Sequence, residues 1–306
     1  MDGASSASRI CPAKINLTLA VTGRRPVSFH ELISLVAPVA FGDRLEVRRE
    51  AGRGIRLEVE GEPVSGGGDN LVMKAARGFF RKFPAEGRFV FRLRKRIPVG
   101  AGLGGGSSDA VGALRLLNRI LGFPAGDSEL HDLACALGSD CPFFLNPSPA
   151  VMRGQGERLE FLTATESERL LGRRLILCKP FPPVSTVWAY RELARHGRYS
   201  DPETAEATLA AWRKGGRPLE SILHNDFEVT VGTKYPAIRV LLRELRRDPG
   251  LPALMSGSGS ACFVLLGNEG QAEEVNARVC EAWGRDAFAV ETAICQNGID
   301  RRCRTG

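Results

Sequence analysis

The chain has 306 residues, of which 43% are hydrophobic and 25% charged, and 42 Lys and Arg against 35 Asp and Glu leave a formal charge of +7. This is the composition of an ordinary globular protein of one large or two medium domains, and no apolar run approaches the roughly 18–20 residues that cross a bilayer, so no membrane partner is expected. The positive balance comes without a concentrated basic tract or an interleaved aromatic-basic pattern, so no nucleic-acid partner is expected either, and eight cysteines scattered without C-x-x-C spacing argue against a disulfide framework or a zinc site.

Met1 to Arg9 is small and polar and lacks the apolar core of a secretory signal, which points to a cytoplasmic protein. Ile10 to Val21 alternates and reads as a strand, as do Asp43 to Arg48 and Ile55 to Glu60. Asp69 to Phe83 has helical spacing with Asp69 as its cap. Arg88 to Leu93 alternates again and delivers the chain, through Arg94-Lys95-Arg96, to a glycine-rich stretch. Beyond it Ala110, Val111, Leu114, Leu117 and Leu121 fall on one helical face, so Ser107 to Leu121 is predicted helical. Asp127 to Leu137 is a further helix ending at Gly138, and Asp140 then sits in a turn ahead of Pro142. The stretch Thr163 to Arg174 is polar, and a domain boundary is placed near residue 170, giving domains 1–170 and 171–306. The second half reads as a strand at Arg174 to Lys179, helices around Thr186 to Arg195, Pro202 to Lys214 and Tyr235 to Arg246, a strand-turn-strand at Leu254 to Leu266, a helix at Ala272 to Trp283 and a last strand at Ala287 to Ile294. Strands interrupted by two helices, without a regular βαβ repeat, give an α+β first half, and the alternation in the second half suggests a ferredoxin-like domain.

The stretch Pro98-Val99-Gly100-Ala101-Gly102-Leu103-Gly104-Gly105-Gly106-Ser107-Ser108 carries the chemistry. Glycines this dense let backbone N–H groups approach a ligand closely, and a helix N-terminus presents unpaired donors and partial positive charge to an anion. One reading is a plain capped turn with Ser107 or Ser108 as N-cap. A second is a dinucleotide fingerprint, since Gly100, Gly102 and Gly105 satisfy G-x-G-x-x-G, although its usual place is the first turn of a parallel sheet. A Walker A loop is excluded, because no Lys-Ser or Lys-Thr follows the glycines.

The third reading is a resemblance. The stretch is similar to the phosphate loop of the GHMP kinases, and its triple glycine before Ser-Ser resembles the branch that phosphorylates 4-diphosphocytidyl-2-C-methyl-D-erythritol in isoprenoid precursor synthesis. Pro12-Ala13-Lys14-Ile15-Asn16-Leu17, Leu137-Gly138-Ser139-Asp140-Cys141-Pro142-Phe143-Phe144 and Met255-Ser256-Gly257-Ser258-Gly259 resemble that branch in the same order. Asp69-Asn70-Leu71-Val72, Ala150 to Glu157 and His224 to Glu228 extend the likeness over nearly the whole chain. The resemblance implies a two-domain fold, an N-terminal ribosomal-protein-like α/β domain and a C-terminal ferredoxin-like one, with the active site in the cleft between them.

It also implies roles. Lys14 and Asp140 form the catalytic pair: a carboxylate can take the proton of a poorly nucleophilic alcohol, and a lysine can keep it ionised and stabilise developing charge. ATP is expected on Pro98, Gly100, Gly102, Leu103, Gly104, Gly105, Gly106, Ser107 and Ser108, with Asn70 and Leu71 beside the base and Lys95 just before the loop. Mg²⁺ is expected with the nucleotide, keeping several waters and bridging substrate oxygens, and no protein metal ligand is assigned. Asn16, Phe29, His30, Thr186, Tyr190, Gly257 and Ser258 are expected around a cytidylyl alcohol, His30 on the cytosine edge and the two aromatic rings on its faces. Here the sequence departs from the branch: Arg24-Arg25-Pro26-Val27-Ser28-Phe29-His30 stands where Asp-Gly-Tyr usually precedes the histidine. Another GHMP alcohol kinase and a catalytically silent nucleotide-binding homologue are the alternatives, in a monomer or weak homodimer.

Overall fold

The computed structural model describes residues 6–24, 30–64, 66–180, 183–247, 250–268 and 270–296. In chain order the elements are β1 (Ser6–Arg24), β2 (His30–Glu50), β3 (Arg53–Gly61), α1 (Leu71–Lys82), β4 (Gly87–Lys95), α2 (Gly105–Ile120), α3 (Asp127–Cys135), α4 (Cys141–Leu145), β5 (Ala150–Gly154), β6 (Arg158–Phe161), α5 (Ala164–Glu168), β7 (Arg174–Lys179), α6 (Thr186–His196), α7 (Pro202–Arg213), a 3₁₀ turn (Leu219–Ile222), β8 (His224–Asn225), α8 (Phe227–Lys234), α9 (Pro236–Arg247), β9 (Ala253–Met255), β10 (Cys262–Leu265), α10 (Gln271–Trp283) and β11 (Phe288–Ala293). They assemble into two compact units. The first is built from the chain up to Ala13, Phe41–Val99 and Gly104–Pro147, the second from Lys14–Ala40, Gly100–Leu103 and the chain from Ser148 on. The long strands β1 and β2 contribute to both. The boundary expected near residue 170 falls inside the second unit.

In the first unit β4 pairs antiparallel with the end of β2 and parallel with β3. The parallel pair is joined through α1, a single βαβ crossover and not a regular repeat. Helix α1 starts one residue later than the sequence suggests: Asn70, not Asp69, is its cap, accepting the Val72 N–H at 2.9 Å. Its apolar positions Val72, Ala75, Ala76 and Phe79 recur at helical spacing and are buried, the pattern that holds an amphipathic helix on a sheet. Helix α2 is buried over most of its surface, Asp109 and Asn118 included. It begins at Gly105 with Gly104 as its cap, and neither Ser107 nor Ser108 caps it. Helix α3 stops at Cys135, two residues short of expectation. Asp140 sits in the expected turn and heads α4, whose start carries Pro142; proline is suited to the first turn of a helix because its missing N–H would have no intrahelical partner there.

In the second unit β5 pairs with the first part of β2 and with β6, while β8 pairs parallel with β1. The remaining strands form a four-stranded sheet in the order β11-β7-β10-β9, antiparallel at every step. Numbered by their own sequence this is fourth, first, third, second, with helices after the first and third strands, the arrangement of a ferredoxin-like domain. Helix α9 shows why it forms: Ile238, Leu241, Leu242 and Leu245 are buried, and arginines cover the other face. Among those, Arg246 does more than face solvent, since it takes both oxygens of Glu228 at 2.7 and 2.8 Å and donates to the Ala253 carbonyl at 2.9 Å. The described cysteines are all free thiols. Cys178 and Cys262 face one another across β7 and β10, and burial pushes the Cys178 thiol up to about 12, so it behaves as a small hydrophobe. No described helix is long and apolar enough to cross a membrane.

Candidate active site

The glycine stretch is shared between the units, and each part is anchored in its own. In the first, strand β4 delivers Lys95 to Pro98, and the chain resumes at Gly104, whose φ of 70° lies in the left-handed region. The first intrahelical bond of α2 runs from Ser108 N–H to the Gly104 carbonyl at 3.0 Å. The N–H groups before it have no intrahelical acceptor, which is what an anion requires. Ser107 is half-buried. The Ser108 hydroxyl is buried without a hydrogen-bond partner among the described residues. Gly106 lies against Leu71, where an added Cβ would be 3.4 Å from the leucine Cδ1, so Asn70 and Leu71 at the head of α1 stand beside the head of α2.

Lys95 is placed differently from a surface cation. It is 5% exposed, and its ammonium donates to Asp43 and lies 3.1 Å from Asp109. Burial opposes its charge, but the two carboxylates outweigh burial and raise its pKa. For Asp109 burial dominates, and despite Lys95 its carboxyl is pushed up to about 8. Neither Asp43 nor Asp109 was among the residues expected from the sequence. The available signal was weak: Asp43 precedes a stretch of mixed charge, and Asp109 is an acid near the head of a largely apolar helix. Asp140 is half-exposed at the head of α4. The next residue, Cys141, donates its N–H to the Gly138 carbonyl at 3.1 Å. Burial pushes its thiol up to about 11, against the opposing effect of a hydrogen bond with Ser107.

In the second unit Gly100 to Leu103 is held from three sides. Lys14 N–H donates to the Leu103 carbonyl at 3.0 Å, Ala261 N–H to Ala101 at 3.0 Å, and Val184 N–H to Gly100 at 3.2 Å. Gly102 has a φ of 75° and packs against the Ser256–Gly259 turn, where a Cβ would overlap the Ser256 carbonyl oxygen and lie 3.0 Å from Gly259 N. The turn answers in kind, since a Cβ on Gly257 would come 2.7 Å from the Gly102 carbonyl oxygen. Strand β1 runs alongside with alternate residues on one face: Lys14 Nζ donates to Asn16 Oδ1 at 2.6 Å, Asn16 Nδ2 to Ser34 Oγ at 2.8 Å, and Ser34 Oγ to the Thr18 carbonyl at 2.6 Å. All four residues are buried. The Ser256 hydroxyl accepts the Asn16 N–H at 3.3 Å. Lys14, Asn16, Gly257, Ser258 and the loop residues Gly100 to Leu103 are thus brought together, and Thr186, the first residue of α6, joins them through a 2.9 Å contact with the Ser258 hydroxyl.

The aromatic residues meet as well. His30 and Tyr190 have ring centroids 4.8 Å apart, Tyr199 lies 6.1 Å from His30, and Tyr190 stands edge-on to Phe227 at 4.7 Å. Tyr199 and Phe227 were not expected there. Phe29 lies outside the described residues, as do Phe181 and Pro182. Sequence reasoning also missed Asn225. Its side-chain amide donates to the carbonyls of Met255 (2.6 Å) and Gly257 (2.9 Å) and its oxygen accepts the Phe227 N–H at 2.9 Å, so this buried residue pins the Ser256–Gly259 turn. Among the described residues no group of three or more His, Cys, Asp or Glu side chains could hold a metal ion.

The family described as GHMP kinases N terminal domain matches residues 70–147, and that described as GHMP kinases C terminal matches residues 200–285. A solved structure of Methanococcus jannaschii mevalonate kinase, 12% identical, superposes with a TM-score of 0.73 over 95% of this chain and 99% of its own, a likeness of fold. The chain has the two-domain GHMP kinase fold. The resemblance narrows further. The 4-diphosphocytidyl-2-C-methyl-D-erythritol kinases of Granulibacter bethesdensis and Deinococcus radiodurans are each 38% identical to it, covering 92% and 95% of this chain and 95% of their own lengths. A crystal structure of 4-(cytidine 5'-diphospho)-2C-methyl-D-erythritol kinase is 35% identical, with a TM-score of 0.72 over 94% of this chain and 99% of that one. The chain belongs to the 4-diphosphocytidyl-2-C-methyl-D-erythritol kinase family.

Proposed function

We propose that this chain transfers a phosphoryl group from ATP to the 2-hydroxyl of 4-diphosphocytidyl-2-C-methyl-D-erythritol. The observation that carries the reading, beside family membership, is the buried Lys14–Asn16–Ser34 array lying along Gly100 to Leu103 and the Ser256–Gly259 turn. A dinucleotide site has no need of a buried lysine there, whereas a group that develops negative charge on an alcohol oxygen does.

In this reading Pro98, Gly100, Gly102, Leu103, Gly104, Gly105, Gly106, Ser107 and Ser108 cradle the nucleotide phosphates. The positive φ of Gly104, the N–H groups at the head of α2 and the unpartnered Ser108 hydroxyl fit an oxyanion. Asn70 and Leu71 lie by the base and Lys95 supports the loop from within. ATP supplies the phosphoryl group, and Mg²⁺ bound with it would supply charge neutralisation at its phosphates. Asp140 accepts the proton of the acceptor hydroxyl as the new phosphorus–oxygen bond forms, and Lys14, oriented by Asn16, stabilises the charge on that oxygen. Because the transition state of phosphoryl transfer is loose, positioning contributes as much as proton removal. Asn16, Thr186, Gly257 and Ser258 face the acceptor, and Phe29, His30 and Tyr190 hold the cytosine. We take the working unit to be a monomer or a weak homodimer.

A coupled ADP-release assay tests this directly, run with the cytidylyl alcohol, homoserine, mevalonate and a sugar as acceptors. Turnover with the first, reduced about 10²- to 10⁴-fold in Asp140→Asn at unchanged nucleotide affinity, is the expected result. Turnover only with another acceptor moves the chain's substrate elsewhere among the GHMP kinases. ATP binding with no transfer to any acceptor makes it a silent homologue.

A further inference from the structure

We propose that Asp43, Lys95 and Asp109 form an internal clamp that fixes the two feet of the phosphate loop, so that both aspartates are positioning residues for nucleotide binding. The inference rests on the loop assignment above. The foot on the side of β4 is held by Asp43, whose Oδ1 accepts the N–H groups of Arg96 at 2.6 Å and Ile97 at 2.8 Å. The foot on the side of α2 is held by Asp109, one turn into the helix that the loop feeds. Lys95 joins them, since its ammonium donates to Asp43 Oδ2 and lies 3.1 Å from Asp109 Oδ2. Asp43 is 0% exposed and Asp109 3%, so neither charge faces solvent, and a role in solubility or surface pairing does not account for them.

Two further observations fit a clamp. Gly105, the first residue of α2, leaves the space the ammonium occupies: a Cβ there would stand 2.8 Å from Lys95 Nζ and 2.9 Å from Ile97 Cγ2. The missing side chain therefore lets the helix head close directly onto the outgoing strand. Second, two acids and one ammonium are an unbalanced set in a buried place, and burial raises the Asp109 carboxyl to about 8, toward its neutral form. The remaining groups facing it are the Cys11 thiol of β1, itself pushed up by burial, with Arg9 beyond. A neutral set beneath the helix head leaves its positive end available to phosphate, whereas a net negative charge there would oppose it.

A merely structural triad would alter stability and leave the ratio of nucleotide to acceptor affinity alone, and that separates the two cases. The dissociation constant of a fluorescent ATP analogue and the KM values for ATP and acceptor are measured for the wild type, Asp109→Asn, Asp109→Ala and Gly105→Ala. Asp109→Asn keeps the shape and the oxygen that faces Lys95, and nucleotide affinity is expected within about twofold of wild type. Asp109→Ala opens the clamp, and Gly105→Ala displaces Lys95 with every charge retained. Each is expected to weaken nucleotide about ten- to a hundredfold, the scale on which a misplacement near 1 Å acts, with the acceptor KM little changed. If Asp109→Ala does not fold, Gly105→Ala alone decides. Affinity within twofold of wild type in a folded Gly105→Ala, or equal losses of nucleotide and acceptor, overturns the clamp. Nucleotide binding by the wild type without transfer to the cytidylyl alcohol overturns the substrate assignment and leaves the clamp standing on the binding data. No nucleotide binding by the wild type overturns both.

Discussion

The contact between Gly102 and the Ser256–Gly259 turn can be separated into backbone strain and steric overlap by a matched pair of substitutions. Gly102 has φ +75° and Gly122 φ +77°, so alanine at either position meets the same left-handed penalty, about 1–2 kcal/mol. At Gly122 no described atom lies within 4 Å of an added Cβ, and the strain is the whole effect. At Gly102 the Cβ would overlap the Ser256 carbonyl oxygen, with Gly259 N at 3.0 Å. Both neighbours are backbone atoms, and the turn that holds them is itself tied down by Asn225 and by the bond from Ala261 N–H to the Ala101 carbonyl. Relieving the overlap therefore moves a braced turn, which adds about 1–3 kcal/mol by the usual cost of overpacking. The expected order is a loss of about 1–2 kcal/mol for Gly122→Ala and about 2–5 kcal/mol for Gly102→Ala. Thermal melts monitored by intrinsic fluorescence read the difference at about 1.5 °C per kcal/mol for a chain of this size. Gly102→Ala should also lose ATP turnover, because the loop shifts, while Gly122→Ala keeps it. Equal melting temperatures for the two variants, with turnover intact in both, would refute the argument that this turn and the loop are packed backbone on backbone.

Asn225→Ala leaves the buried carbonyls of Met255 and Gly257 without their side-chain donor, and each lost partner costs about 1–3 kcal/mol. A lowered denaturation midpoint at unchanged m-value checks it, and a midpoint equal to wild type would mean the turn is held by other bonds. The pH dependence of stability carries the signature of Asp109. Its folded value near 8 lies above the ordinary aspartate value of 3.8, so the folded state holds a proton that the unfolded chain releases. The contribution is fully present below about pH 4 and is lost as pH rises toward 8, on the order of 1.4 kcal/mol per pH unit if the group acted alone. Asp109→Asn removes the titration, so the melting temperature of this variant relative to wild type should rise between pH 5 and pH 8. A gap that stays constant over that range would show that Asp109 does not hold the proton.

Much of this protein is written locally. The periodicity of Val72, Ala75, Ala76 and Phe79, or of Ile238, Leu241, Leu242 and Leu245, specifies a helix and its buried face, because a 3.6-residue repeat is a property of neighbouring residues. The glycine stretch and the Ser-Gly-Ser-Gly turn could be found for the same reason, since a backbone that must approach another closely excludes side chains at fixed offsets. Strand β2 was seen only at its end, from Asp43, because Leu32 to Val39 is buried on both faces and shows no alternation to read. Helix α8 went unseen because its buried positions include Thr230 and Gly232, which carry no apolar signal.

What the tertiary structure alone decided is which polar residues are buried and against what. Lys14 stands among apolar neighbours and Lys95 between two arginines, and neither setting names the partner its ammonium finds. One donates to Asn16 two residues away, and the other to an aspartate 52 residues away. Asn225 reaches the turn at Met255 across 30 residues, and Ser256 meets Asn16 across 240. A buried charge is stable only with its partner, and the partner's distance along the chain leaves no trace in any local window. The identity of the phosphate loop could therefore be read from the residues in order, while the carboxylates beneath it became visible only when the chain had folded around them.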